Sequence, residues 1–101
     1  MVLTLKLHPL AENELVIALN YYFEISPKLE KKFLSHIDKQ FNDILSSPNL
    51  YQYETETSQK VVMKKFPYII IYEKYEDIIM ILAIFHTKQN PKKLMQRNNN
   101  T

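Results

Sequence analysis

Apolar and polar residues alternate over positions 2–8, with Leu3, Leu5 and Leu7 set against Thr4, Lys6 and His8. That period of two predicts a half-buried strand. Pro9 then suits a first helical position, where a missing N–H costs nothing. Glu12 and Glu14 follow in the first turns, where the helix dipole favours acids. Ala11, Leu15, Ala18 and Tyr22, with Leu19 beside them, recur every three or four residues and predict a helix over 10–24. Ser26-Pro27 reads as an N-cap followed by a first helical residue. From there Leu29, Phe33, Ile37, Phe41, Ile44 and Leu45 draw one helical stripe over 27–46. Only Ile25 and Ser26 link the two helices, so an antiparallel hairpin is expected.

Residues 50–59 are polar and irregular, and three strand-like stretches follow. Residues 60–66 alternate weakly, 68–74 are apolar on both faces over Ile69, Ile70 and Ile71, and 78–85 are apolar throughout. The last should be a central strand covered on both sides. Its β-branched content and short length choose strand over buried helix. Tyr75-Glu76-Asp77 makes a hairpin link between the final two strands. With an optional short helix over 91–96, the order reads β-α-α-β-β-β(-α) in a single domain over 1–97, with 98–101 a frayed tail. Helices grouped together and strands grouped together mean α+β. The helical hairpin should pack on a mainly antiparallel sheet, joined at one edge by residues 3–7. Phe33, Ile37, Phe41, Ile79, Ile81 and Ala83 are the expected core.

Composition narrows the chemistry. There is no glycine, which excludes Gly-dependent phosphate loops and the G-x-S-x-G nucleophile elbow. There is no cysteine, which excludes disulfides, Cys-ligated zinc and thiol catalysis. His8, His36 and His86 lack ligand spacing, so no metal and no cofactor is expected. The longest apolar run, over 78–85, falls far short of the roughly 20 residues that span a bilayer. The first residues lack a basic segment leading into an apolar one. A cytoplasmic protein with no membrane partner is the expectation.

Charge is uneven. Residues 1–50 carry a net −1 and residues 51–101 a net +3. From His86 onward Lys88, Lys92, Lys93 and Arg97 occur without an acid. Such an end can attract phosphate or an acidic partner, or can simply be solvated. His86 ends the apolar strand, where a binding or catalytic role and a plain strand-end residue both fit. Lys60 and Lys64 share one parity, and Tyr68 and Tyr72 share one face of the next strand. Were the two rows neighbours on an exposed face, cations and rings would together suit single-stranded RNA or a protein surface. The alternative is that both tyrosine rings lie in the core.

Several of these segments together resemble the RelE/ParE superfamily of toxins from bacterial type II toxin–antitoxin systems, nearest its ParE-like, plasmid-stabilisation branch. The resemblance rests on Ala11-x-x-x-Leu15, Tyr21-Tyr22, the Phe33…Ile37…Ile44…Pro48 helix, and Phe66-Pro67-Tyr68-x-Ile70-x-Tyr72. It continues through Ile81-Leu82-Ala83-Ile84-Phe85-His86, then His86-x-x-x-x-Pro91 with Arg97 beyond. It implies a growth-inhibiting toxin neutralised by a cognate antitoxin. ParE-type toxins bind and inhibit DNA gyrase and have no known catalytic centre of their own. The alternatives are a RelE-type, ribosome-dependent mRNA endonuclease, or a toxin-fold binding protein without toxicity. Ribonuclease members usually carry a Gly-x-Tyr-Arg-like strand and a tyrosine near the C-terminus, whereas here no tyrosine follows Tyr75. Gln89, Leu94 and Lys60 also stand where Arg, Trp and Arg are common in the superfamily. The gyrase reading therefore leads, with Lys60, Lys64, Tyr68, Tyr72, His86, Lys88, Lys92, Lys93 and Arg97 as target-binding candidates. Under the ribonuclease alternative, His86, Arg97, Lys60 and Lys64 would carry the chemistry.

Overall fold

A computed structural model describes residues 2–88. Strand β1 (Thr4–Leu7) leads into helix α1 (Pro9–Ile25), then helix α2 (Pro27–Ser46), and strands β2 (Ser58–Val62), β3 (Tyr68–Tyr75) and β4 (Ile78–His86). Capping explains the tight start. The His8 side chain accepts a hydrogen bond from the Leu10 N–H at 3.1 Å, and Pro9 enters the helix behind it. Ser26 serves both helices. Its N–H donates to the Tyr22 carbonyl, closing α1, and its hydroxyl accepts from the Lys28 N–H at 3.2 Å, opening α2. One residue thus turns the hairpin.

The strand order is β1-β4-β3-β2. β1 runs parallel to β4 from Thr4 opposite Ile78 to Leu7 opposite Ile81, and the other pairings are antiparallel. β4 is therefore interior in the sheet, as its unbroken apolar sequence predicts, but the expected cover on both sides is incomplete, since Ile78, Met80 and Leu82 are only partly buried. Both helices cover one face. Ala11, Ala18 and Tyr22 of α1 and Phe33, Ile37 and Ile44 of α2 meet Ile70, Tyr72, Ile79 and Ile81 of the sheet. Tyr22, Phe33 and Phe66 form an aromatic knot, with ring centroids 4.8–5.2 Å apart. Of the expected core, Phe41 is only half-buried. Ala83 is buried but lies outside the helix-facing cluster.

Two details depart from expectation. β2 starts and ends earlier than 60–66, because Ser58 and Gln59 are both buried. The Gln59 amide donates to the carbonyls of Pro48 (2.7 Å) and Tyr51 (2.8 Å), which pins the preceding loop to the sheet and satisfies the buried side chain. The other is a bulge. Ile71 pairs with Ala83, yet Tyr72 pairs with Ile81, so Leu82 is passed over. Before the bulge Ile79 and Ile81 point toward the helices, and after it Ile84 and His86 do, opposite Ile70 and Tyr68. Ala83 is thereby turned to the far face.

Candidate functional site at the end of β4 and the sheet edges

The bulge sets the local chemistry. It brings His86 to the helix side, where its ring stands 5.3 Å from that of Tyr68. The two border a small cleft of about 170 Å³ with Glu14, Ile17, Ala18 and Ile84. β1 pairs only with the first half of β4, so among the described residues no strand lies beside 82–86 on that flank. Glu14 closes part of that flank. Its carboxylate accepts from the Ile84 N–H at 2.9 Å. Beside it, Leu10, Ile17, Tyr21 and Ile25 form an exposed apolar stripe on α1, at spacings that keep them on one side of the helix. In the sequence Glu14 stands out only as an acid of the first turns of α1. Its position between buried Ala11 and Ala18 was the signal that it reaches inward.

Of the two placements open to Tyr68 and Tyr72, the structure takes the core, and no cation–aromatic surface forms from them. Tyr68 and Tyr72 are buried at 8% and 0% exposure. Burial, then the neighbouring Tyr22 hydroxyl, pushes the Tyr68 phenol up to about 12. Burial, then Tyr51, does the same for Tyr72, also to about 12. Both remain neutral donors at physiological pH. The Tyr72 hydroxyl donates to the Pro48 carbonyl at 2.5 Å. Lys60 pairs with Ile71, whereas Tyr72 pairs with Gln59, so the lysine and the tyrosines project from opposite faces. Lys60 is held by Glu54 at 3.0 Å. Lys64 lies beyond the end of β2, exposed in the connection to β3, so no strand row joins it to Lys60. Lys88 is exposed just past His86, with its N–H donating to the His86 Nδ1 at 3.1 Å. Lys92, Lys93 and Arg97, like Gln89, Pro91, Leu94 and the optional helix, lie outside the described residues.

A family model described as "ParE toxin of type II toxin-antitoxin system, parDE" matches residues 5–91. The chain belongs to the ParE toxin family. The chain is also similar to "Toxin ParE2" of Mycobacterium tuberculosis, in strains CDC 1551 / Oshkosh and ATCC 25618 / H37Rv. It is 25% identical to each over 88 residues, covering 86% of this chain and 84% of the relative. Its fold is similar to a solved chain titled "Chromosomal ParDE TA system from P. aeruginosa". There the TM-score is 0.73 at 19% identity, over 84% of this chain and 96% of the other. At that identity the likeness speaks for the fold, and it agrees with a ParE-like helical hairpin on a four-stranded mixed sheet. Among the described residues of this ParE-family chain, no helix is long and apolar enough to cross a membrane.

Proposed function

We propose that this ParE-family toxin inhibits DNA gyrase by binding it, and that a cognate antitoxin neutralises it by covering the open flank of β4 and the exposed face of α1. The observation that carries the choice of target is the burial of Tyr68 and Tyr72 with Lys60 on the opposite face. A single RNA strand needs exposed rings on which bases stack, beside cations that follow the phosphates. Those elements are separated here by the thickness of the sheet. A binding surface around His86 and Lys88 needs no such platform, and the excess of lysine and arginine in the C-terminal sequence would steer association.

The antitoxin reading follows from two adjacent features. A flank of β4 with no neighbouring strand among the described residues accepts an added strand, and the stripe of Leu10, Ile17, Tyr21 and Ile25 accepts the apolar face of a helix. The decisive assay titrates the full chain into gyrase supercoiling and, separately, into translating ribosomes with mRNA. Inhibited supercoiling, relieved by the antitoxin, is expected. Cleaved mRNA with supercoiling untouched would overturn the proposal. Tyr21→Asp combined with Ile25→Asp, which lie on the stripe but outside the cleft beside His86, should leave gyrase inhibition in place while the antitoxin no longer relieves it.

A further inference from the structure

The opposite edge of the sheet carries a second opening. In the β2–β3 ladder the Lys60 N–H points away from β3, donating to the Gln52 carbonyl at 3.0 Å. Alternation along an antiparallel pair then aims the Val62 N–H the same way. The 50–57 loop covers the first half of β2 through the Tyr53–Gln59 bridge and the Lys60 bond. Among the described residues no strand lies beside Val62, which is 56% exposed. A groove of about 440 Å³ opens there between α2, the loop and the β2–β3 connection. Leu50, Val62 and Met63 form its apolar part. Lys39, Lys64 and Lys65 stand along it with His36, against a single lining acid, Asp43.

We infer that this groove binds an extended acidic peptide segment of a protein partner, added as a short strand against Val62. Three features select that occupant. An open backbone edge is satisfied by a chain with its own alternating N–H and C=O groups, which a nucleic acid lacks. The apolar part accepts the alternate side chains of a strand. Three lysines against one aspartate favour carboxylates and would speed encounter. The site lies at the opposite edge of the sheet, so it is distinct from the proposed antitoxin surface and from the proposed gyrase surface around His86 and Lys88.

The test uses the full chain and a fluorescein-labelled peptide of alternating Asp and Val, with an alternating Lys and Val peptide as control. Binding measured by anisotropy should favour the acidic peptide and weaken as salt rises, because exposed charges are screened. Lys64→Glu with Lys65→Glu should weaken it about tenfold or more. Val62→Pro removes one outward N–H at an edge position and should cost about fivefold. A peptide N-methylated at alternate residues tests the same bond without altering the protein, and should lose binding even if Val62→Pro unfolds the chain. Equal binding of the Lys peptide, or full binding of the N-methylated one, would overturn the inference. So would a single-stranded RNA that displaces the peptide and is itself insensitive to Val62→Pro.

Discussion

Tyr72→Phe is the sharpest probe of how the loop before β2 is held, and of whether Tyr72 serves the core or the target. The change deletes one oxygen from a ring that is fully buried, so packing is unchanged. The lost hydrogen bond to the Pro48 carbonyl is worth roughly 0.5–1.5 kcal/mol net. That carbonyl keeps its second donor, the Gln59 amide at 2.7 Å, and is not orphaned. The expected cost is thus about 1 kcal/mol, or about 4–8 °C in Tm for a domain of this size. Gln59→Ala removes donors to Pro48 and Tyr51 together and should cost about 1–3 kcal/mol. The double variant strips the Pro48 carbonyl of both donors, so its cost should exceed the sum of the singles by about 1 kcal/mol. Urea unfolding of the four proteins closes the cycle. Additivity within about 0.3 kcal/mol would refute the shared-acceptor account. Supercoiling inhibition by Tyr72→Phe should equal that of the parent at 25 °C. A tenfold loss with unchanged stability would place the hydroxyl on the target surface instead of in the core.

Phe33→Ala removes the ring at the centre of the aromatic knot and should cost about 3–5 kcal/mol in urea unfolding; a cost no larger than that of Phe41→Ala, whose ring is half-buried, would contradict the packing. Glu76 holds a φ of 51° in the two-residue turn between β3 and β4, where a side chain carries a steric penalty. Glu76→Gly should therefore raise stability by up to about 1 kcal/mol after its larger chain entropy is counted, and a fall in Tm would refute this. Tyr68 and Tyr72 have folded pKa values raised from 10.0 to about 12, so the unfolded chain loses these protons first. Their contribution is whole below pH 10 and is lost as pH rises from 10 through about 12. Tyr72→Phe should flatten that alkaline decline, and an identical decline in the variant would show that the group does not contribute.

Much of the fold was legible because each helix carries its own signals. The Ser26-Pro27 pair and the stripe from Leu29 to Leu45 locate α2 without reference to any other segment, and its bounds match the structure. The run over 78–85 predicted an interior strand for the same local reason. Features that depend on other segments were hidden. Ser58 and Gln59 look like loop residues until the carbonyls of Pro48 and Tyr51 are placed above them. The bulge at Leu82 leaves no trace in a strand that is apolar at every position around it, yet it decides that His86 faces Tyr68. Glu14 sits at a helical position compatible with both solvent and core, and only the missing length of β1 beside β4 gives its carboxylate a backbone N–H to cap.

The choice between an exposed and a core placement of the tyrosines is closed to the sequence for a related reason. Period two fixes which residues share a face within one strand, and it says nothing about the phase between two strands. That phase comes from pairing register, and a shift of one residue exchanges the faces completely. Here Met63 donates to the Tyr68 carbonyl and Tyr68 to the Phe66 carbonyl, so the connection over 63–67 closes with Lys60 opposite Ile71 and not opposite Tyr72. The alternative phase would turn Gln59 away from Pro48 and Tyr51, leave Val61 outside the core and set the Lys60 ammonium beneath the helices. Burying that charge without a partner would cost far more than the lost contacts. The same desolvation that keeps Lys60 out of the core thus separates it from the tyrosines. In a two-layer fold with helices on one face, a lysine row and a core tyrosine row on adjacent strands belong to opposite sides, and the function has to be sought at the edges and strand ends instead.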